Sequence, residues 1–179
     1  MKTVMSVFLT LLITLIFAPG CEDALDVNFN ADFVADLNAD VINPGRKSAA
    51  TVFTFTASDV IDPKSDEDVK KYAEQIKDLK ITKVTAEITS ITKPVTLVSG
   101  KLKVSASGFT TTEWNFTNVA LSLGTKLSIG NETGQITNVQ SMLKSLKLVT
   151  VELSGETDQA PVKFTLKVTY ETEITANPL

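Results

Sequence analysis

Histidine is absent from this chain of 179 residues, and cysteine and tryptophan each occur once. Arginine is almost as scarce, with Arg46 alone. Without histidine there is no Ser-His-Asp or Cys-His nucleophile system and no histidine metal site. One cysteine, Cys21, can form neither an internal disulfide nor a zinc centre. The eight glycines are scattered at turn-like positions such as Gly45, Gly100 and Gly124, without the spacing of a phosphate loop or a dinucleotide fingerprint. No cofactor is therefore expected. A net charge of −4 with one guanidinium argues against nucleic acid, whose recognition relies on clustered cations and bidentate arginine contacts.

Long apolar runs are also lacking, except at the start. Met1 and Lys2 form a short positive region, and Val4 to Phe17 is apolar apart from Ser6, Thr10 and Thr14. That is the layout of a secretory signal peptide. The run is shorter than the ~20 residues that cross a bilayer and has no basic stop-transfer flank. Ala18-Pro19-Gly20-Cys21 follows it directly and resembles the lipobox of bacterial lipoproteins. The resemblance implies that residues 1–20 are removed and that the Cys21 sulfur receives a diacylglyceryl group, so lipidation is expected at Cys21. The alternative is an ordinary signal peptide followed by a free thiol. Glu22, Asp23 and Asp26 are similar to the acidic export signal of lipoproteins in Bacteroidetes, which implies an outer-membrane location, facing either the surface or the periplasm. The membrane is thus the expected partner, through the lipid anchor. Acyl chains contribute about 0.8 kcal/mol per buried methylene, so several of them hold a domain durably.

Cys21 to Leu179 is the size of one domain. Its net charge is −5, because the leader takes Lys2 with it and turns the −4 of the whole chain one unit more negative. From Leu25 to Leu37 apolar residues hold one parity and Asp or Asn the other, Val34 excepted, which reads as a half-buried strand long enough to bend between two sheets. Asn43-Pro44-Gly45 reads as a turn before a second strand, Ala49 to Ala57. Between Asp62 and Leu79 the spacing of Val69, Tyr72, Ala73, Ile76 and Leu79 predicts a helix, with Ser65 as its N-cap. Strands are expected at Lys80–Ile91 and at Val95–Ala106, the latter with an irregularity at Ser99-Gly100.

In the second half, strands are expected at Glu113–Leu123, around Leu127 and Ile129, at Lys147–Leu153 and at Val162–Glu171, with a helix over Gln135–Leu146. Lys77–Ile81 and Lys144–Leu148 look alike, each read as joining a helix to a strand. Two related halves and two ordinary helix exits both account for that. About eight short, threonine-rich strands predict a mainly β protein, an antiparallel β-sandwich with two short helices in its connections. An α+β arrangement is the alternative.

Carboxylates are the remaining catalytic chemistry, since glycoside hydrolysis needs only a pair across a cleft. Glu113 beside Trp114 reads as an acid next to a sugar-stacking platform, or as an exposed acid next to a core tryptophan. Asp26-Val27-Asn28-Phe29-Asn30 begins like an EF-hand loop, but Ala31 stands where glycine is needed and Leu37 where the bidentate glutamate belongs. The alternation predicts a solvated strand face instead. No metal site is expected, and the row of acids at Asp32, Asp36 and Asp40 suits an edge strand that must not pair with a neighbour. Two classes stay open: a non-catalytic envelope module that binds a protein or glycan partner, and a small carboxylate-dependent hydrolase. Exposed Trp114, Phe116 or Tyr170 would favour glycan or protein binding, whereas the alternation puts all three in the core.

Overall fold

The computed structural model describes residues 26–43 and 52–178. The leader, Cys21, the acids Glu22 and Asp23, Pro44 and Gly45 of the expected turn, and residues 49–51 of the expected second strand lie outside the described residues.

In chain order the elements are β1 (Val27–Val41), β2 (Phe53–Ile61), α1 (Glu67–Lys71), β3 (Ile76–Ile91), β4 (Val95–Ala106), β5 (Thr112–Leu121), β6 (Lys126–Leu127), α2 (Gln135–Lys144), β7 (Val149–Thr157) and β8 (Val162–Ala176). They build two antiparallel sheets, ordered β1-β8-β3-β6 and β2-β7-β4-β5. The expected antiparallel β-sandwich is the observed fold. Its pairs nest: 1 with 8, 2 with 7, 3 with 6, 4 with 5. A single long hairpin, closed between β4 and β5 and then rolled, produces this order, which is that of a jelly roll. Rolling brings β8 against β3 and β7 against β4, so both sheets close around one core.

The core follows from period two. In β8 every even residue from Val162 to Ala176 is buried, and in β1 every odd residue from Ala31 to Val41 is. Phe55 of β2 meets Phe164 of β8 edge to face at 5.2 Å between centroids, joining the two sheets. β1 does not bend from one sheet to the other, contrary to expectation. All fifteen of its residues pair with β8, and the other sheet is met through a side chain: Asp59 on β2 accepts the Asp36 amide of β1 at 2.8 Å.

Three strands change face midway. In β3 the buried positions move from Leu79 and Ile81 to Ala86 and Ile88, across a register shift between Ile81 and Lys83. In β4 they move from Val95 and Leu97 to Leu102 and Val104, across a shift between Leu97 and Ser99 that falls beside the expected irregularity. β5 follows its partner, from Trp114 and Phe116 to Leu121, with Asn118 left-handed at φ 53° between them. An extra residue in a ladder turns every later side chain over, which is what a bulge does.

The helix expected over Asp62–Leu79 is mostly not helix. A 3-10 turn spans Pro63–Ser65, and α1 is only five residues long. The caps are Asp62, which accepts the Lys64 amide, and Asp66, which accepts those of Asp68 and Val69; Ser65 is neither. One short turn has little stability of its own. From Ile76 onward the backbone pairs with β8 instead, Ile76 opposite Ala176 and Leu79 opposite Ile174. Lys77–Ile81 therefore lies inside a strand and does not join a helix to one, unlike Lys144–Leu148. In the second half, α2 ends at Lys144, Leu146 is left-handed at φ 54°, and Ile129 lies beyond β6. α2 buries Val139, Met142 and Leu143 and covers part of the β3 edge, where Gln140 Oε1 accepts the Ile81 amide at 3.0 Å.

Candidate functional site

Glu113 lies on the outer face of β5. Its register partner on β4 is Lys103, and its carboxylate pairs with Lys101 at 2.8 Å; Lys103 in turn reaches Glu152 of β7 at 3.8 Å. Two lysines flanked by two glutamates make a mixed ladder on an open sheet, where such pairs contribute little. A glycosidase needs a second carboxylate facing the first across a cleft. Opposite Glu113 the fold places an ammonium group.

Trp114, on the next position, points inward and is 6 % exposed. Its indole N–H donates to the Gly130 carbonyl at 2.8 Å, which fastens the segment before α2 to β5. Phe116 and Tyr170 are buried as well. All three aromatic residues that could have formed an exposed binding face are thus core residues, and they offer a sugar no stacking surface. The Tyr170 hydroxyl has no hydrogen-bond partner, and burial pushes its phenol well above the ordinary tyrosine value.

The Asp26–Asn30 stretch runs straight into β1. Its polar side chains recur every second residue, about 6.6 Å apart along an extended strand, too far for several of them to ligate one calcium ion at ~2.4 Å. They are also engaged: Asp26 pairs with Lys77 at 3.0 Å, and Asn28 Oδ1 accepts the Thr175 hydroxyl at 2.7 Å. Farther along, Asn38 Oδ1 accepts the Thr165 hydroxyl at 2.8 Å, and Lys163 pairs with Asp40 at 2.7 Å. This is the solvated face that the alternation predicts. β1 is also the edge strand of its sheet, so Asp32, Asp36 and Asp40 stand where a foreign strand would have to pair. Among the described residues no group of three or more His, Cys, Asp or Glu side chains is placed to hold a metal ion.

Residues that the sequence does not single out hold the connections in place. Asp158 accepts the Thr96 amide at 2.8 Å while its own amide donates to the Thr96 carbonyl. Asn138 of α2 donates to the Thr110 carbonyl and to Thr112 Oγ1, both at 2.6 Å, in a depression of about 410 Å³ that Glu113, Thr133 and Gln135 also line. These polar groups satisfy one another, so the depression is a consequence of bracing. Their partners are distant in sequence, which is why no local signal marks them.

Asp78, in β3, faces Lys144 of α2. The Lys144 ammonium, 3.0 Å away, holds its carboxyl below the ordinary aspartate value on an open surface. A general acid needs the opposite displacement. Among the described residues the exposed large apolar side chains are Ile42 and Leu123 at one end of the sandwich, Leu148 just before β7, and Val60 within β2, level with Asp32–Val34 of β1. No helix among the described residues is long and apolar enough to cross a membrane. No protein-family model matches the chain, and no characterised protein or solved structure matches it significantly.

Proposed function

We propose that this chain is a lipoprotein of a bacterial cell envelope, anchored through Cys21, whose jelly-roll domain serves as a non-catalytic binding or structural module. The observation that carries the reading is the position of the lone cysteine. It stands at the end of an apolar leader, behind Ala18-Pro19-Gly20, and only six residues before β1 begins. Sulfur acylation there would tie the domain to a bilayer by a very short tether, in the outer membrane if Glu22 and Asp23 act as an export signal. The domain suits such a post, because both sheets turn polar residues outward and keep their aromatic side chains inside. Its partner is a protein or a glycan, met through polar side chains, since Trp114, Phe116 and Tyr170 give no stacking face.

Mass spectrometry of the chain taken from producing cells tests the anchor. The expected product starts at Cys21 and carries acyl chains, and a Cys21→Ala variant leaves the membrane fraction. A chain that keeps its leader, or a Cys21→Ala variant that stays in the membrane fraction, would overturn the reading. Protease treatment of intact and lysed cells then separates display on the surface from a periplasmic face.

A further inference from the structure

The tether sets which way the domain stands. Five residues lie between Cys21 and Val27, and the six Cα–Cα steps that join them span at most ~20 Å. β1 itself runs fifteen residues, about 50 Å at ~3.3 Å per residue. The sandwich therefore has a near end and a far end, as measured from the anchor. At the near end β1 starts, β8 finishes opposite it at Ala176, and β3 starts at Ile76; α1, the Ser107–Thr111 turn and the segment with α2 cap this end. At the far end β1 finishes at Val41 opposite Val162, and the connections Thr92–Pro94, Ser122–Thr125 and Asp158–Pro161 cap it.

An inverted domain, with the far end against the bilayer, would hold Val27 about 50 Å from the surface, well beyond a ~20 Å reach. A domain lying flat would press a charged surface on the headgroups. The outer face of the first sheet carries Asp32, Asp36, Asp40, Lys163 and Glu173, and that of the second carries Lys101, Lys103, Glu113 and Glu152. Among the described residues neither sheet face offers an excess of positive charge or an apolar band that would hold it to a membrane.

Resting on the lipid anchor proposed above, we infer that the domain meets its own bilayer with the near end and presents the far end, where Ile42 and Leu123 are exposed, away from the membrane. The chain's last described residues, Asn177 and Pro178, return to the near end beside β1.

Acylation of Cys21 leaves no free thiol, so a single introduced cysteine can carry a fluorophore. The acylated full-length chain is labelled at Glu74→Cys on the near end or Leu123→Cys on the far end. Each is placed in vesicles of phosphatidylethanolamine and phosphatidylglycerol that contain a headgroup-bound quencher. Both positions are exposed, so neither substitution disturbs the core. The expected result is quenching at least threefold stronger at residue 74 than at residue 123. Equal or reversed quenching in chains that float with the vesicles overturns the orientation and leaves the anchor intact. A chain whose mass shows no acyl group, and which does not float, overturns the anchor and the orientation together.

Discussion

β8 and β4 are central strands, each paired on both sides, yet they use alternation differently. β8 keeps one parity inward along its whole length, and its ladder with β1 holds one register through fifteen pairs. β4 changes parity after Leu97, and its ladder with β7 slips there by one residue. The unbroken ladder spans the sandwich from end to end. The broken one lets β4 turn at its middle, where Gly100 and Gly155 face each other and the backbones come close. A Cβ on Gly155 would collide with the Ser99 carbonyl oxygen and come 3.0 Å from the Gly100 Cα. Straightness in one strand and a fitted kink in the other thus rest on different residues, and their tolerance to change should differ accordingly.

The sharpest way to break the comparison is to add one residue to the strand that has no bulge. A residue inserted between Ala35 and Asp36 would turn Leu37, Ala39 and Val41 outward, at a cost of roughly 5 kcal/mol for three buried side chains. Circular dichroism and urea titration should show loss of the cooperative fold. A stable protein with native burial would mean that β1 can slip on β8. Truncating the unbroken strand comes next: Leu166→Ala removes a fully buried side chain in β8, with an expected loss of about 3 kcal/mol in the same titration. At the kink, Gly155→Ala should cost about 2 kcal/mol by overpacking, although alanine is ordinarily a mild replacement for glycine in a strand. A neutral result there would mean that the β4–β7 crossing is looser than its backbone distances indicate.

Smaller effects probe how each region is tied to its surroundings. Asp59 accepts the amides of Asp36 and Val60, both at 2.8 Å. Asp59→Ala should lose about 1 kcal/mol and, with the β1 amide released, increase concentration-dependent association in sedimentation measurements. The smallest effect depends on pH. The carboxyl of Asp78 in β3 is held below the ordinary aspartate value of 3.8 chiefly by the hydrogen bond from Lys144. The folded state thus binds this proton less readily than the unfolded chain. Its contribution is therefore present above about pH 4 and fades as the pH falls through the acid range. Because the pair is exposed, that contribution is about 0.3 kcal/mol and screened by salt, so Asp78→Asn should flatten acid unfolding only slightly.

The regions also differ in how far the sequence reveals them. Alternation at Val27–Val41 and Val162–Ala176 is so regular that strand, buried face and solvated face are all legible in the residues alone. In β3 the same logic recognises the strand over Lys80–Ile91 but takes Ile76 and Leu79 for a helical stripe. Apolar residues three or four apart satisfy a helical period, and they also satisfy two strand parities separated by a bulge. Only pairing with β8 separates those readings. Trp114 is legible as a core residue because it alternates, whereas its bond to Gly130 is not, since a carbonyl sixteen residues away leaves no local trace.

By itself, the sequence determined the chemistry the protein cannot perform with histidine or paired cysteines, the β class of the domain, and the inward side of its longest strands, because composition and period two act on each residue locally. Only the tertiary structure decided the rolled strand order, the bulges, the brevity of α1, and the commitment of Glu113 to Lys101. Each of these depends on which distant segments compete for the same backbone amide or the same charge.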